Sequence, residues 1–286
     1  MTILVTGATG HLGGLTVEAL LARGVPADQI TAGGRGVERL AGLAERGVRT
    51  VHLDYSDGAS IGAAVEGADK VLIVSGNEFG QRVAQHVAVA TAAAKAGAGL
   101  VAYTSAPYAD TTTLQLAAEH RATEAAIAEI DVPHTFLRNS WYFENYTAQI
   151  PAYLAQGAVV GAAGDGRISG AARSEYAEAA AAVLAGDGHE GKVYELGGDD
   201  AFTLADLAAS ISRHSGKQIG YRNVSVAELT GILEGAGLPA PIAGIMADTD
   251  RGITEGALLV TSGDLSRLIG HPTSSLDDAV AAALAE

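Results

Sequence analysis

The chain has 286 residues, of which 48% are hydrophobic, and this length suits one large α/β unit with a smaller lobe. It contains no cysteine, which excludes a disulfide framework and a thiolate zinc site, and we predict no metal site. The net charge of −15, without a basic stripe, argues against nucleic-acid binding, and no apolar run is long enough for a membrane span.

The first predicted element is a strand at residues 3–5, followed by Gly7, Gly10 and Gly13 and then by an amphipathic helical pattern. A dinucleotide site needs this order, because glycine lets the backbone approach a pyrophosphate and the helix directs free N–H groups at it. The spacing is GxxGxxG, and such a turn can equally serve only to connect two elements. Because the strand starts so early, we expect no signal peptide and a cytoplasmic protein.

Strand and helix patterns then alternate up to about residue 150. The predicted strands are 29–32, 49–52, 70–75, 100–104 and 134–137, and the predicted helices are 37–46, 83–96 and 114–129. Nearly continuous apolar strands separated by helices predict a Rossmann-like α/β fold, a doubly wound parallel sheet covered on both faces. Ligands of such sheets bind at the carboxyl ends of the strands.

The pattern changes beyond residue 150, where single glycines punctuate a loop-rich stretch before further helices and strands. The predicted elements there are a helix at 173–185, a strand at 192–196, and helix starts at Thr203, Ser225 and Ser275. We predict an NADP-binding domain at 1–150 and a smaller C-terminal α/β lobe at 151–286 that closes over the cofactor, with part of 151–200 able to return to the main sheet. The segment 242–259 is left unassigned.

The residues after the second and third strands bear on the choice of cofactor. An NAD site places an acidic residue after the second strand, whereas this chain has Gly33, Gly34 and Arg35 there. Arg35 can fork onto a 2′-phosphate, which favours NADPH; the alternative is a solvated charge at a helix entry. After the third strand, Asp54 and Tyr55 can border the adenine, although Asp54 can equally cap the next helix.

The next two strand ends supply further candidates. Ser75, Gly76 and Asn77 can approach the ribose through small side chains and backbone. Tyr103 and Thr104 end the fifth strand, where a reductase would place groups beside the nicotinamide.

The helix after the fifth strand carries His120 and Glu124, which are four residues apart and therefore lie on one face. Such a pair can relay a proton, because histidine titrates near neutral pH. The alternative is a surface pair without a chemical role.

An aromatic loop follows the sixth strand. It contains the single tryptophan of the chain, Trp141, together with Tyr142, Phe143 and Tyr146. Flat aromatic walls suit a planar ring such as nicotinamide or a quinone, and the alternative is a hydrophobic hinge between the lobes.

A series of motifs occurs in order along the whole chain. They are TGATGHLGG (6–14), HLDYSD (52–57), LIVSG (72–76), VAYTS (101–105), AEHRATE (118–124), LRNSWYFENY (137–146), GAAGDGRI (161–168), GHEGKVYEL (188–196) and LIGHPT (268–273). Together with Arg35 they resemble the NmrA-like group of atypical short-chain dehydrogenases. Within that group the chain looks most similar to the bacterial type-2 NAD(P)H:quinone oxidoreductases, the subgroup that also includes triphenylmethane reductases.

The resemblance implies a Rossmann-like domain that binds NADPH. The implied cofactor residues are Gly7, Thr9, Gly10, His11, Leu12, Arg35, Ser75, Gly76, Asn77, Tyr103, Thr104, Arg138, Asn139, Trp141 and Tyr142. The implied substrate residues are Trp141, Phe143 and Tyr146, and the candidate catalytic residues are Asn139, Tyr142 and His120. The YxxxK pair that protonates a carbonyl oxygen in most short-chain dehydrogenases is absent, since His120 and Glu124 stand at its positions.

The sequence therefore predicts an NADPH-dependent reductase that transfers hydride to a quinone or a similar planar acceptor, mostly by orientation and exclusion of water. The alternatives are a non-catalytic NADP(H)-sensing regulator and a reductase of another carbonyl or imine substrate. Whether the chain forms a homo-oligomer stays open.

Overall fold

The computed structural model describes residues 1–285. The strands are β1 (Ile3–Val5), β2 (Ile30–Gly34), β3 (Arg49–His52), β4 (Lys70–Ile73), β5 (Leu100–Ser105), β6 (His134–Asn139), β7 (Trp141–Tyr142), β8 (Ala158–Gly161), β9 (Gly170–Ala171), β10 (Val193–Leu196) and β11 (Gly220–Asn223). The α-helices are α1 (His11–Ala22), α2 (Ala41–Glu45), α3 (Gly58–Val65), α4 (Arg82–Lys95), α5 (Ala117–Ala128), α6 (Glu144–Thr147), α7 (Ile150–Gln156), α8 (Arg173–Ala185), α9 (Leu204–Ser215), α10 (Val226–Gly235), α11 (Ala240–Thr254), α12 (Asp264–Ile269) and α13 (Leu276–Ala285).

Seven strands form one parallel sheet in the order β10-β6-β5-β4-β1-β2-β3. From β1 the chain winds outward through β2 and β3, and then returns to place β4 on the other side of β1. The strand order therefore reverses between β1 and β4, which is the switch point where doubly wound sheets bind nucleotides. The predicted fold class is confirmed.

Helices cover both faces of this sheet. Ile3 and Val5 point into a core shared with α1 and α8, whereas Leu4 points into the opposite core, which α3 and α4 cover. The alternation follows from the strand geometry, because successive side chains point to opposite faces. Burial on both faces explains why the strands read as continuous apolar runs.

A third core lies outside the main sheet and joins β8, α9, α11 and the end of the chain. β10 and α8 also come from beyond residue 150, but β10 pairs with β6 and α8 packs on α1, so part of 151–200 belongs to the main sheet layers. The division of the chain into two domains at residue 150 stays a prediction.

Five helices were not predicted from the sequence, namely α3, α6, α7, α11 and α12. Helix α3 was not predicted because its sequence, GASIGAAV, is rich in small residues and shows little amphipathic contrast; Asp57 caps it by accepting from Ala59 N at 2.9 Å. Asp54 is therefore not the cap. Helix α11 occupies most of the unassigned segment, and its periodicity is weak because small and polar residues, among them Ala243, Ala247 and Asp248, form its buried face.

Other predicted elements are present with shifted ends. The predicted helix at 37–46 is a 3-10 turn, Val37–Leu40, followed by α2, while β2 runs on to Gly34 and β4 stops at Ile73. The predicted helix at 114–129 begins three residues later, at Ala117. No helix among residues 1–285 combines the length and the apolar character that a membrane crossing requires.

Candidate functional site

The turn after β1 has a shape that requires glycine. Gly7 has φ +61°, a conformation that favours glycine, and its carbonyl accepts from Gly10 N at 2.9 Å. A Cβ atom on Gly13 would lie 2.4 Å from Gly7 O, so only glycine lets α1 pack this closely on the turn. The start of α1 is thereby held directly against the end of β1.

A cleft of about 390 Å³, which we call the strand-end cleft, lies above this turn at the carboxyl ends of β1, β2, β3 and β4. Nine predicted cofactor residues line it: Gly7, Thr9, Gly10, His11, Leu12, Arg35, Ser75, Gly76 and Asn77. Asp54 and Tyr55, which the sequence predicts beside the adenine, also line the cleft. Gly13, the third glycine of the predicted turn, lines it as well, and lining residues without a predicted role include Arg39, Glu78 and Gln85.

The electrostatics of the strand-end cleft suit an anion at two places. Helix α1 begins without a side-chain cap and without an acidic residue in its first turn, so its free N–H groups and positive dipole end face the cleft. At the mouth, Arg35 Nη1 lies 3.0 Å from Glu78 Oε1, and Arg39 is also in the wall. Glu78 Oε2 accepts a second hydrogen bond from Gln85 Nε2 at 2.8 Å.

Two uncharged side chains, His86 and Thr104, bind the backbone that follows β4. Gly76 N donates to His86 Nε2 at 2.9 Å, and Ser75 N donates to Thr104 Oγ1 at 2.9 Å. Burial, with a smaller contribution from the charge of Arg82, lowers the pKa of His86 to about 4. His86 is thus neutral at physiological pH and can accept the Gly76 hydrogen bond. Thr104 acts here through Ser75 and does not line the cleft.

His120 and Glu124 are both buried, and they do not pair with each other. His120 Nδ1 lies 2.8 Å from the hydroxyl of Tyr103, whose side chain is fully buried beneath the sheet edge. Burial and the charge of Arg82 lower the pKa of His120 to about 3, so it is neutral at physiological pH. His120 and Tyr103 do not line the strand-end cleft. The surface pair is wrong, because His120 and Glu124 are buried, whereas a proton relay through His120 stays a prediction.

Arg138, a predicted cofactor residue, is fully engaged inside the protein. Its guanidinium donates to Glu124 at 3.0 and 2.6 Å, to Glu195 at 2.9 Å and to the more exposed Asp110 at 2.8 Å. Only 6% of Arg138 is exposed. A guanidinium has five N–H donors. Nε and Nη2 of Arg138 donate to Glu124 on α5 and Nη1 donates to Glu195 on β10, so Arg138 links β6 to both elements.

Two polar atoms at the ends of β5 and β6 have no partner. Ser105 Oγ and Asn139 Oδ1 are buried without a hydrogen bond from any residue in 1–285. The other end of the Asn139 amide donates to the Tyr142 hydroxyl at 3.2 Å, and the Tyr142 ring packs edge-on against Tyr176. Buried polar atoms are normally paired, so these two are suited to contacts with a bound molecule.

A second cavity of about 290 Å³, the aromatic cavity, opens beyond β7. Its aromatic wall consists of Trp141, Tyr146 and Tyr153, and its aliphatic wall includes Val159, Leu204, Leu229 and Leu233. The predicted substrate residues Trp141 and Tyr146 therefore share one cavity. Phe143 does not join them: it is 2% exposed and packs on Phe202, 5.8 Å between ring centroids.

One charged side chain lies in the wall of the aromatic cavity. Asp250, on α11, accepts from Ala162 N at 2.6 Å through Oδ2. Burial raises its pKa to about 6, because the surroundings penalise the ionised form and the amide of Ala162 offsets that penalty only in part.

The model of the NmrA-like family matches residues 1–255. The chain belongs to the NmrA-like family. Quinone oxidoreductase 2 of Escherichia coli is 47% identical over 278 residues, covering 97% of each chain.

Two solved structures are similar over almost the whole length. The NADPH complex of the E. coli quinone oxidoreductase QOR2 has a TM-score of 0.96 at 46% identity, covering 99% of this chain and all of that one. The NADP(H) complex of the Citrobacter triphenylmethane reductase has a TM-score of 0.92 at 40% identity, with the same coverage. The predicted family and its subgroup are confirmed.

Some of the lining residues that were not predicted could have been found from the sequence of this NmrA-like chain, and others could not. Arg39 comes four residues after Arg35, in the 3-10 turn Val37–Leu40, within the predicted helix at 37–46. Asp250 could not have been found, because the sequence pattern does not assign its helix, α11. Glu78 reaches the cleft from the loop between β4 and α4, whose path the sequence does not define, and Gln85 reaches it from the first turn of α4.

Proposed function

We propose that this chain is an NADPH-dependent reductase that delivers hydride to a quinone or a similar planar, electron-poor acceptor. The observation that carries the proposal is the aromatic cavity, which begins at Trp141 directly after the strand next to β5. The strand-end cleft covers β1 to β4, and β5 and β6 continue the same edge of the sheet towards this cavity. A cofactor and a planar acceptor therefore have neighbouring sites along one edge.

The residues of the strand-end cleft fit NADPH. The turn at Gly7–Gly13 leaves room for a pyrophosphate at the start of α1, and Arg35 with Arg39 offers positive charge for a 2′-phosphate. Ser105 Oγ and Asn139 Oδ1, at the ends of β5 and β6, have no partner among residues 1–285 and would be available to the nicotinamide end. Bound NADPH supplies the hydride.

The chain's own contribution is orientation and exclusion of water. No histidine, lysine or YxxxK pair among residues 1–285 lines the aromatic cavity, and His120 is neutral and buried elsewhere. A reduced quinone oxyanion is a weak base that solvent can protonate, so a dedicated acid is not needed. Trp141 and the Asn139–Tyr142 pair would hold the acceptor plane beside the cofactor.

The aromatic cavity also argues against a pure NADP(H) sensor, which needs no second site. Mixing the protein with NADPH and benzoquinone and following NADPH absorbance tests the choice. We expect consumption of NADPH that depends on both the protein and the quinone. NADPH binding without consumption by any planar acceptor would instead identify a sensor.

Removing the Arg35 side chain (Arg35→Ala) should weaken NADPH binding by about 1.5 kcal/mol, roughly tenfold, and leave NADH binding almost unchanged. The lower end of the range for charged hydrogen bonds applies because the Arg35 side chain is 65% exposed and water screens it. Calorimetric titration with both cofactors measures this. Equal losses for NADPH and NADH would contradict a 2′-phosphate contact.

The ion-pair partner of Arg35 provides a matched control. Glu78→Gln removes a negative charge that holds Arg35 at the cleft mouth, so NADPH should bind up to about twofold more tightly. The two single variants should thus move NADPH affinity in opposite directions.

Trp141→Ala should reduce quinone turnover more than His120→Ala does. Trp141 lines the aromatic cavity, whereas His120 contacts only buried groups. The His120→Ala variant should therefore lose less turnover than the roughly 10²–10⁴-fold that is typical for removal of a general acid–base. Steady-state kinetics of both variants with benzoquinone provides the comparison. A larger loss in His120→Ala, together with a vanished pH dependence near neutrality, would make His120 an acid catalyst.

A further inference from the structure

The loop between β4 and α4, residues 75–81, forms one side of the strand-end cleft, and we call it the mouth loop. Its residues Ser75, Gly76, Asn77 and Glu78 line the cleft. Residues 75–81 contain no helix or strand, and Phe79 at the tip is 42% exposed. A segment of this kind has few backbone bonds of its own to hold it in place. Its position therefore depends on contacts from other elements.

The first end of the mouth loop is anchored by α4. Gly76 N donates to Nε2 of His86 at 2.9 Å, and His86 is fully buried. Because Nε2 accepts, the proton of the neutral ring is on Nδ1, which lies 3.4 Å from Thr123 Oγ1 on α5. Thr123 Oγ1 in turn donates to Glu119 O at 2.8 Å. The His86 ring is thereby held between the loop and α5.

The second end of the mouth loop is anchored by a carboxylate from α5. Glu119 Oε1 accepts from Gly80 N at 2.7 Å, and Glu119 Oε2 accepts from Arg82 Nε at 2.7 Å. The guanidinium of Arg82 also donates to Leu116 O at 2.8 Å and lies 4.7 Å from the centroid of the Phe79 ring. Glu119 thus holds the loop directly through Gly80 and indirectly through the cation that packs on Phe79.

His86 and Glu119 do not line the strand-end cleft, but together they hold both ends of the segment that does. We infer that His86 and Glu119 are positioning residues for NADPH, because they fix the mouth loop in the conformation that receives the cofactor. When a binding-competent conformation is only partly populated, the apparent affinity falls by that fraction. Loss of either anchor therefore weakens NADPH binding without removing a cofactor contact.

The position of the mouth loop indicates which half of the cofactor depends on it. Glu78 Oε1 lies 3.0 Å from Arg35 Nη1, so the loop borders the end of the cleft proposed for the 2′-phosphate. The adenosine half of NADPH should therefore depend on the anchors as strongly as the whole cofactor does. This inference rests on the proposed placement of NADPH in the strand-end cleft.

Calorimetric titration of NADPH and of its adenosine half, 2′-phosphoadenosine 5′-diphosphoribose, tests the anchors. Glu119→Ala removes the acceptor of Gly80 N, and His86→Leu removes the acceptor of Gly76 N. His86→Gln keeps an acceptor of similar reach. Glu129→Ala is the control, because it removes an exposed carboxylate from the other end of α5.

We expect Glu119→Ala and His86→Leu each to weaken binding of both ligands by about tenfold. His86→Gln should stay within about threefold of the wild-type protein, and Glu129→Ala should bind both ligands unchanged. Unchanged affinity in folded Glu119→Ala or His86→Leu, a loss confined to NADPH, or a similar loss in Glu129→Ala would each overturn the inference. So would a loss in His86→Gln as large as that in His86→Leu.

Amide hydrogen exchange separates positioning from a general loss of stability. In the cofactor-free wild-type protein, the amides of Gly76 and Gly80 should exchange slowly although both lie in a loop. Glu119→Ala should speed exchange at Gly80 and leave Ser140 unchanged, whose amide donates to Leu196 O at 2.8 Å. Equal acceleration at Gly80 and Ser140 would contradict a positioning role. Fast exchange at Gly80 in the wild-type protein would overturn the inference even if no variant folded.

The placement of NADPH is tested separately by Gly10→Val, which fills the space for the pyrophosphate and leaves the mouth loop untouched. If folded Gly10→Val keeps its NADPH affinity, the placement itself is wrong. If Gly10→Val loses NADPH while Glu119→Ala and His86→Leu keep it, the placement stands and the positioning role is wrong.

Discussion

Gly10→Val is expected to abolish NADPH binding in a protein that still folds. Gly10 lines the strand-end cleft, and the only atom within 4 Å of an added Cβ is Gly7 O, at 3.2 Å, so the branched side chain would project into the space for the pyrophosphate. The backbone of Gly10 is extended, with φ −94°, which valine adopts readily. Calorimetric titration with NADPH measures the loss, and circular dichroism verifies the fold.

Gly62→Val is the matched control for this prediction. Gly62 is exposed on α3, and a Cβ atom added there would meet nothing within 4 Å. This variant should bind NADPH with unchanged affinity. A folded Gly10→Val protein that also kept its affinity would mean that the cofactor lies elsewhere.

Arg138→Met should lower the free energy of unfolding by about 3–5 kcal/mol. The substitution leaves Glu124, which is 5% exposed, without the cation that it binds at 2.6 Å, and it also removes a partner of Glu195. An unpaired buried carboxylate costs far more than the pair contributes. Urea denaturation followed by far-UV circular dichroism gives the change.

Arg267→Met is the corresponding surface control. Arg267 pairs with Asp264 at the protein surface, where its side chain is 62% exposed, so its loss should cost less than about 1 kcal/mol. If Arg138→Met kept its stability and lost only NADPH affinity, Arg138 would be a cofactor ligand and the interpretation of its ion pairs as structural would be wrong.

The sequence predicts features that depend on neighbouring residues. The strand, glycine turn and helix around Gly10 are local, and the first capping residues of later helices, such as Thr203 with Asp206, were recognised by spacing alone. The side chains of Ser75 and Arg35 reach the strand-end cleft because a parallel sheet brings the residues after its strands to one edge.

Other features depend on partners that are distant in the chain. The resemblance implies a cofactor role for Arg138, but spacing alone does not show its partners Glu124 and Glu195, which come from α5 and β10. His120 looked free to titrate, and only the packing of Tyr103 and Arg82 around it shows that it is neutral. Sequence spacing does not reveal such long-range pairing.

The two binding regions are built from separate stretches of the gene product. The described residues lining the strand-end cleft fall between positions 7 and 85, and those lining the aromatic cavity fall between positions 141 and 250. Substitutions in the wall of the aromatic cavity therefore fall outside the residues that line the strand-end cleft, so acceptor preference is free to diverge during evolution while the phosphate-binding end of the cofactor site is kept.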